Sequence, residues 1–230
     1  MGAALGWGVL AASSLVIGGF LGVARAWPAR AVGLVLAFGA GALISAVSFD
    51  LAEEGARIGG PGTLGVGLAA GALAYFFVYR ALDRRGTGGG AALALGALLD
   101  GIPEQMVLGI GIAAGEGVGV GLLVAIFVSN LPEAIGGSVD LRAAGHGPRT
   151  IRRLWLVVAA VCTLAAVAGF AIADATSGDL QAAIDGFAAG ALLVMLVDSM
   201  VPEARSEAGR PAGLMTVLGF ALAAGLSGLS

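Results

Sequence analysis

Two Pro-Glu pairs stand inside long apolar stretches of this chain, and they are the residues most able to do chemistry. The first lies in Leu99-Asp100-Gly101-Ile102-Pro103-Glu104-Gln105 and the second in Ser129-Asn130-Leu131-Pro132-Glu133-Ala134. On a helix, Asp100 and Glu104 are four apart and share a face, as do Ser129 and Glu133, with Asn130 beside them. Each Pro removes one backbone N–H, which frees the carbonyls of Leu99 and Val128 from their helical hydrogen bonds. The combined donor set is three carboxylates, an amide, a hydroxyl and two carbonyls, all of them oxygen ligands. Burying an ionisable side chain in a membrane span costs roughly 2.5–3.5 kcal/mol on insertion scales. A group of carboxylates with no Arg in the middle of any span therefore either binds a cation or is held protonated. A kink alone would need the Pro but not the Glu.

The elements that must position these residues are transmembrane helices. Hydrophobic residues make up 58% of the 230 and charged residues 12%, where a soluble domain carries roughly 25% charged. Stretches of about 20 apolar residues can cross the hydrocarbon core as helices. Eight are expected, at 5–24, 31–51, 62–82, 91–114, 117–141, 152–173, 180–200 and 212–229. The whole of 1–230 then forms a single transmembrane domain. The first stretch lacks the positive start of a signal peptide and is expected to be retained. All twelve basic residues are Arg. Arg25, Arg30, Arg80, Arg84, Arg85, Arg142, Arg149, Arg152, Arg153, Arg205 and Arg210 fall in odd-numbered connections or at the stretch ends bordering them, and Arg57 alone in an even-numbered one. The positive-inside rule then puts both termini outside. At about 1.5 Å per residue, Glu104 lies roughly 20 Å and Glu133 roughly 12 Å from the inner ends of their helices, so antiparallel neighbours would bring the two patches together.

An internal echo accompanies this topology. Phe38-Gly39-Ala40-Gly41-Ala42-Leu43 in the second stretch resembles Phe187-Ala188-Ala189-Gly190-Ala191-Leu192 in the seventh. The two run in opposite directions, which fits inverted repeats flanking a central fourth and fifth helix. Gly/Ala-rich helices also resemble one another by chance.

The segments Ile102-Pro103-Glu104 and Asn130-Leu131-Pro132-Glu133 resemble the metal-binding motifs of the ZIP (Zrt/Irt-like) metal transporters. Phe38–Glu54 and Phe187–Ala204 are similar to the second and seventh helices of that family. The resemblance implies an all-α membrane protein of eight spans that is not an enzyme. It implies transport of a divalent cation of the zinc, iron or manganese class as substrate, with no cofactor permanently bound. It also implies that Glu104 and Glu133 are shared metal ligands and that Asn130 matches the motif Asn. Asp100 stands where the family has His, Gly101 where it has Asn, and Ser129 where it often has His or Gln. The sixth stretch has no interior carboxylate, which leaves a second metal site in doubt, and the family's long His-rich inner loop is replaced by residues 83–90. With oxygen in place of nitrogen, the donor set is expected to lean toward harder ions such as Mn²⁺ or Fe²⁺, or to bind zinc more weakly than His-containing relatives do, although the Irving–Williams order still favours zinc for the same ligands.

Asp50 and Asp198 could be steps on a cation path, Asp198 with the stronger claim as a ligand. His146 lies in a basic inner loop and is expected to be solvated. Cys162, the sole cysteine, could be a soft ligand but is expected to pack as a small residue. The alternatives are a diverged scaffold that has lost transport, and a proton-linked carrier using the same carboxylates. Expected partners are the ion and the bilayer, with no nucleic acid; pairing into a homodimer stays open. Exclusive use of Arg with 41 Gly suggests a GC-rich bacterial genome, and hence a bacterial cytoplasmic membrane.

Overall fold

The structure, a computed structural model, describes residues 1–25, 27–84, 89–113, 120–173 and 177–227. These residues are helical almost throughout, and none of them forms a strand. Lipid dictates this outcome, because a helix satisfies its backbone hydrogen bonds within the segment. In chain order, α1 is Gly2–Ala24 and α2 is Ala29–Ala46, which passes through the π-helical segment Val47–Glu53 into α3, Glu54–Arg84. Then come α4 (Gly89–Ala113), α5 (Val120–Ala143) and α6 (Pro148–Ile172). Next is α7 (Gly178–Met195), which runs through a second π-helical segment, Leu196–Met200, into α8 (Val201–Ala208). The last is α9, Pro211–Ser227.

Among the described residues, five helical stretches are long and apolar enough to cross a membrane: Gly2–Ala24, Ala29–Ala81, Gly121–Ala143, Pro148–Ile172 and Gly178–Ala208. Ala29–Ala81 spans 53 residues and holds both the second and the third expected stretch, far more than a core about 30 Å thick requires. It is broken at Gly60, whose φ of 81° and ψ of 161° are not helical, with Pro61 next. Only glycine adopts that backbone readily, and Pro presets the φ of a helix start. The same device recurs at Gly209, with φ 68°, just before Pro211 opens α9.

Small residues set the helix packing. A side chain on Gly18 would strike the Leu131 carbonyl and one on Gly22 the Ile135 carbonyl, so α1 lies parallel to α5. Gly67 meets the Ala183 carbonyl and Gly71 that of Phe187, so α3 runs parallel to α7. Gly101 meets Cys162 and Gly169 meets the Met106 carbonyl, so α4 runs parallel to α6. With no hydrophobic drive between helices in lipid, close backbone approach of this kind supplies the van der Waals attraction. Two contact sets match each other. On α2 and α9, Gly41 faces the Thr216 carbonyl and Gly219 that of Phe38. On α7 and α3, Gly190 faces the Leu68 carbonyl and Gly71 that of Phe187.

The interior gathers around two centres. One joins α2, α7, α8 and α9 through residues such as Leu43, Leu192, Ala204 and Ala212. The other surrounds Trp155, with Leu15, Ala134, Ile151 and Cys162. There the Trp155 indole N–H donates to Ser138 Oγ (2.8 Å) and the Ser138 hydroxyl donates to the Gly19 carbonyl (3.3 Å). That chain of bonds ties α6, α5 and α1 into one unit.

Candidate metal site

Pro103 lies inside α4 and Pro132 inside α5, and the two helices pack against each other. On α5 the carbonyl freed by Pro132 belongs to Val128. Helix α2 meets it at Gly39, where a Cβ would stand 3.2 Å from Val128 O and 3.1 Å from Ser129 Cα. The absence of a side chain at Gly39 lets the α2 backbone close over this part of the site.

Glu104 is 1% exposed, Asn130 2% and Ser129 3%. Glu133 is half-buried, and its carboxylate lies close enough to that of Glu104 for each to feel the other's charge. The Ser129 hydroxyl donates to the Ile126 carbonyl at 3.1 Å, so its oxygen keeps lone pairs to offer. Glu104 Oε2 and Asn130 Nδ2 have no hydrogen-bond partner among the described residues. A buried carboxylate oxygen without a partner is expensive to maintain. Next to Glu104, Gln105 Nε2 donates to the Gly8 carbonyl at 3.4 Å, which anchors this turn of α4 to α1.

Glu104 on α4 and Ser129 and Asn130 on α5 are thus buried polar groups, and Glu133 on α5 is half-buried. The Asp100 backbone continues α4, and its side chain lies outside the described residues. Asp198, expected to contribute, is exposed on the π-helical segment after α7, whereas Glu104, Ser129 and Asn130 are buried. Among the described residues, no three Asp, Glu, His or Cys side chains form a ready metal cluster. His146 is exposed, as expected of a solvated loop residue.

One residue, Asp185, and one contact, that of Cys162 with the fourth helix, were not read from the sequence. Asp185 is 2% exposed on α7, with its Cβ 3.1 Å from where a Cβ on Gly55 would be; its position inside the seventh expected stretch was signal enough to notice it. Cys162 is fully buried on α6. Its Sγ lies 2.7 Å from where a Cβ on Gly101 would stand. The sequence had suggested no thiol within reach of the fourth helix, and a contact between residues so far apart along the chain leaves no local mark.

A sequence profile described as ZIP zinc transporter matches residues 83–227. That is more than half of the chain and takes in α4 to α9 with both Pro-Glu segments. No curated protein matches the chain.

Proposed function

We propose that this chain, which belongs to the ZIP zinc transporter family, moves a divalent cation of the zinc, iron or manganese class across a bacterial cytoplasmic membrane through the site between α4 and α5. The family transports divalent metal ions, and this member is a multi-pass membrane protein. The observation that carries the assignment to this site is Glu104, buried, with one oxygen unpartnered, on a helix packed against the one that bears the second carboxylate, half-buried Glu133. Two carboxylates in low dielectric repel each other and lack hydration. A divalent cation between them relieves both penalties, and the carboxylates in turn offset the ion's loss of water. Asn130, Ser129, Asp100 and the Val128 carbonyl complete an oxygen donor set, and exposed Asp198 serves as a step along the path.

Eight crossings with both termini outside fit the packing. Parallel contacts join α1 with α5, α3 with α7 and α4 with α6, and in an eight-span chain each of these pairs is separated by an even number of crossings. Inverted repeats are supported by matching registers. The offset is 149 between α2 and α7 (Phe38 to Phe187, Gly41 to Gly190) and 148 between α3 and α9 (Leu68 to Thr216, Gly71 to Gly219). A π-helical segment follows each of α2 and α7, and such segments often mark functional positions.

The test is divalent-metal binding and uptake by Glu104→Gln and Glu133→Gln. Each substitution removes one charge at near-constant volume, and each should abolish binding while the protein still inserts. Wild-type uptake by the double variant would overturn the reading.

A further inference from the structure

Helices α1 and α6 lie side by side and antiparallel: a side chain on Gly8 would meet Ala166, and one on Gly19 would strike Trp155. Between them runs a groove, open along one side and lined by residues that include Val9, Ser13 and Ile17 of α1 and Ala159, Ala160 and Thr163 of α6. The Ser13 hydroxyl donates to the Leu10 carbonyl (2.6 Å) and that of Thr163 to the Ala159 carbonyl (2.8 Å). Both donors are spent within their own helices, so the groove offers hydrocarbon and little to hold water or a polar ligand. Toward the start of α6 the chemistry changes. Arg149, Arg152 and Arg153 share the helix face that carries Ala160 and Thr163. The Arg152 guanidinium lies 5.4 Å from the centroid of the Phe20 ring on α1, and its Nε donates to the Pro148 carbonyl at 3.2 Å, which holds the charge across the α1–α6 seam. Among the described residues none of these three cations pairs with a carboxylate. From Arg152 to Thr163 is about 16 Å along α6, close to half of a hydrocarbon core about 30 Å thick. The seam thus has the depth of one leaflet, with positive charge at one end and an apolar channel leading away from it.

We infer that the α1–α6 seam is a binding site for an anionic phospholipid of the inner leaflet, with one acyl chain in the groove and the headgroup phosphate held by Arg149, Arg152 and Arg153. The choice of leaflet rests on the topology above; the site itself does not. An anionic headgroup supplies the counter-charge that the three Arg lack within the chain, and basic clusters at the cytoplasmic ends of transmembrane helices attract such lipids. The acyl chain restores the van der Waals contacts that an empty groove would forfeit. A zwitterionic lipid fills the groove equally well but brings no net charge to the Arg cluster, so the headgroup decides the preference.

The test titrates phosphatidylglycerol or phosphatidylcholine of identical acyl chains into delipidated, full-length protein in detergent, with bound lipid counted by mass spectrometry of the intact complex. Wild type should retain phosphatidylglycerol in preference. Arg152→Gln should weaken that preference about fivefold, and the triple Gln variant at residues 149, 152 and 153 on the order of a hundredfold. Arg30→Gln and Arg210→Gln, which remove charge elsewhere, should leave it unchanged. Ala160→Phe places a ring in the groove and should lower binding of both lipids; should that variant fail to fold, the Arg variants decide alone. Equal retention of the two lipids by wild type overturns the inference, as does a preference that survives the triple variant. A loss just as large in Arg30→Gln and Arg210→Gln also overturns it, since the attraction is then diffuse. A lipid-free wild-type dimer that Ala160→Phe splits into monomers would give the groove to a second copy of the chain instead. Glu104→Gln should keep the lipid preference while losing metal, so the lipid site and the transport site fail separately.

Discussion

Gly101→Ala should be destabilising in the wild-type background and close to neutral when Cys162 is also replaced by Ala. The new methyl carbon would lie 2.7 Å from Cys162 Sγ but 3.9 Å from Cys162 Cβ. Non-bonded heavy atoms prefer roughly 3.5–4.0 Å, so the sulfur is about 1 Å too close while the β-carbon is at ordinary contact. Forcing an extra carbon into a well-packed interior costs about 1–3 kcal/mol. Cys162→Ala alone removes the sulfur and leaves a small void, for about 1 kcal/mol. The double variant places a methyl where the sulfur was, so both penalties should largely cancel, with a coupling of about 1–3 kcal/mol between the two sites. Thermal unfolding of the four proteins in one detergent reads this directly, at about 2–4 °C for each kcal/mol in a chain of this size. Additive shifts would mean that residues 101 and 162 do not touch, and the register of α4 against α6 would then be wrong.

Three further outcomes follow from the same structure. Single Cys probes at Gly86 and Gly147, in a Cys162→Ala background, should react with an impermeant reagent only from the cytoplasmic side, and labelling of either from outside in intact cells would break the topology. Asp100→His should raise zinc affinity more than manganese affinity, since imidazole suits zinc better; an unmoved ratio in metal titrations would remove Asp100 from the ligand set. Ser138→Ala should cost about 1–3 kcal/mol by leaving the buried Trp155 indole N–H without its acceptor, and adding Trp155→Phe should recover part of that loss of thermal stability.

By itself the sequence determined the solvent and the kind of element. A chain 58% hydrophobic, with Arg confined to the ends of its apolar stretches, has to bury its backbone hydrogen bonds in helices within lipid. It also placed both Pro-Glu pairs inside helices, because the missing N–H of Pro and the cost of a buried carboxylate are local properties legible from neighbours in the chain.

Tertiary structure decided how deeply each candidate residue is buried. Glu104 is fully buried, Glu133 half-buried and Asp198 exposed, and nothing in the chain ranks them. In a soluble helix the polar face marks the outside. Here lipid is as apolar as the interior, so the helices are apolar all round and hydropathy carries no record of which face turns inward. The π-helical segments Val47–Glu53 and Leu196–Met200 shift the register of everything after them. The meeting of Gly101 with Cys162 depends on the parallel seating of α6 along α4, which is fixed by Gly169 against the Met106 carbonyl and Gly109 against that of Ala166. The sequence holds those glycines but not the partner each one chooses, because close approach is a property of two helices at once.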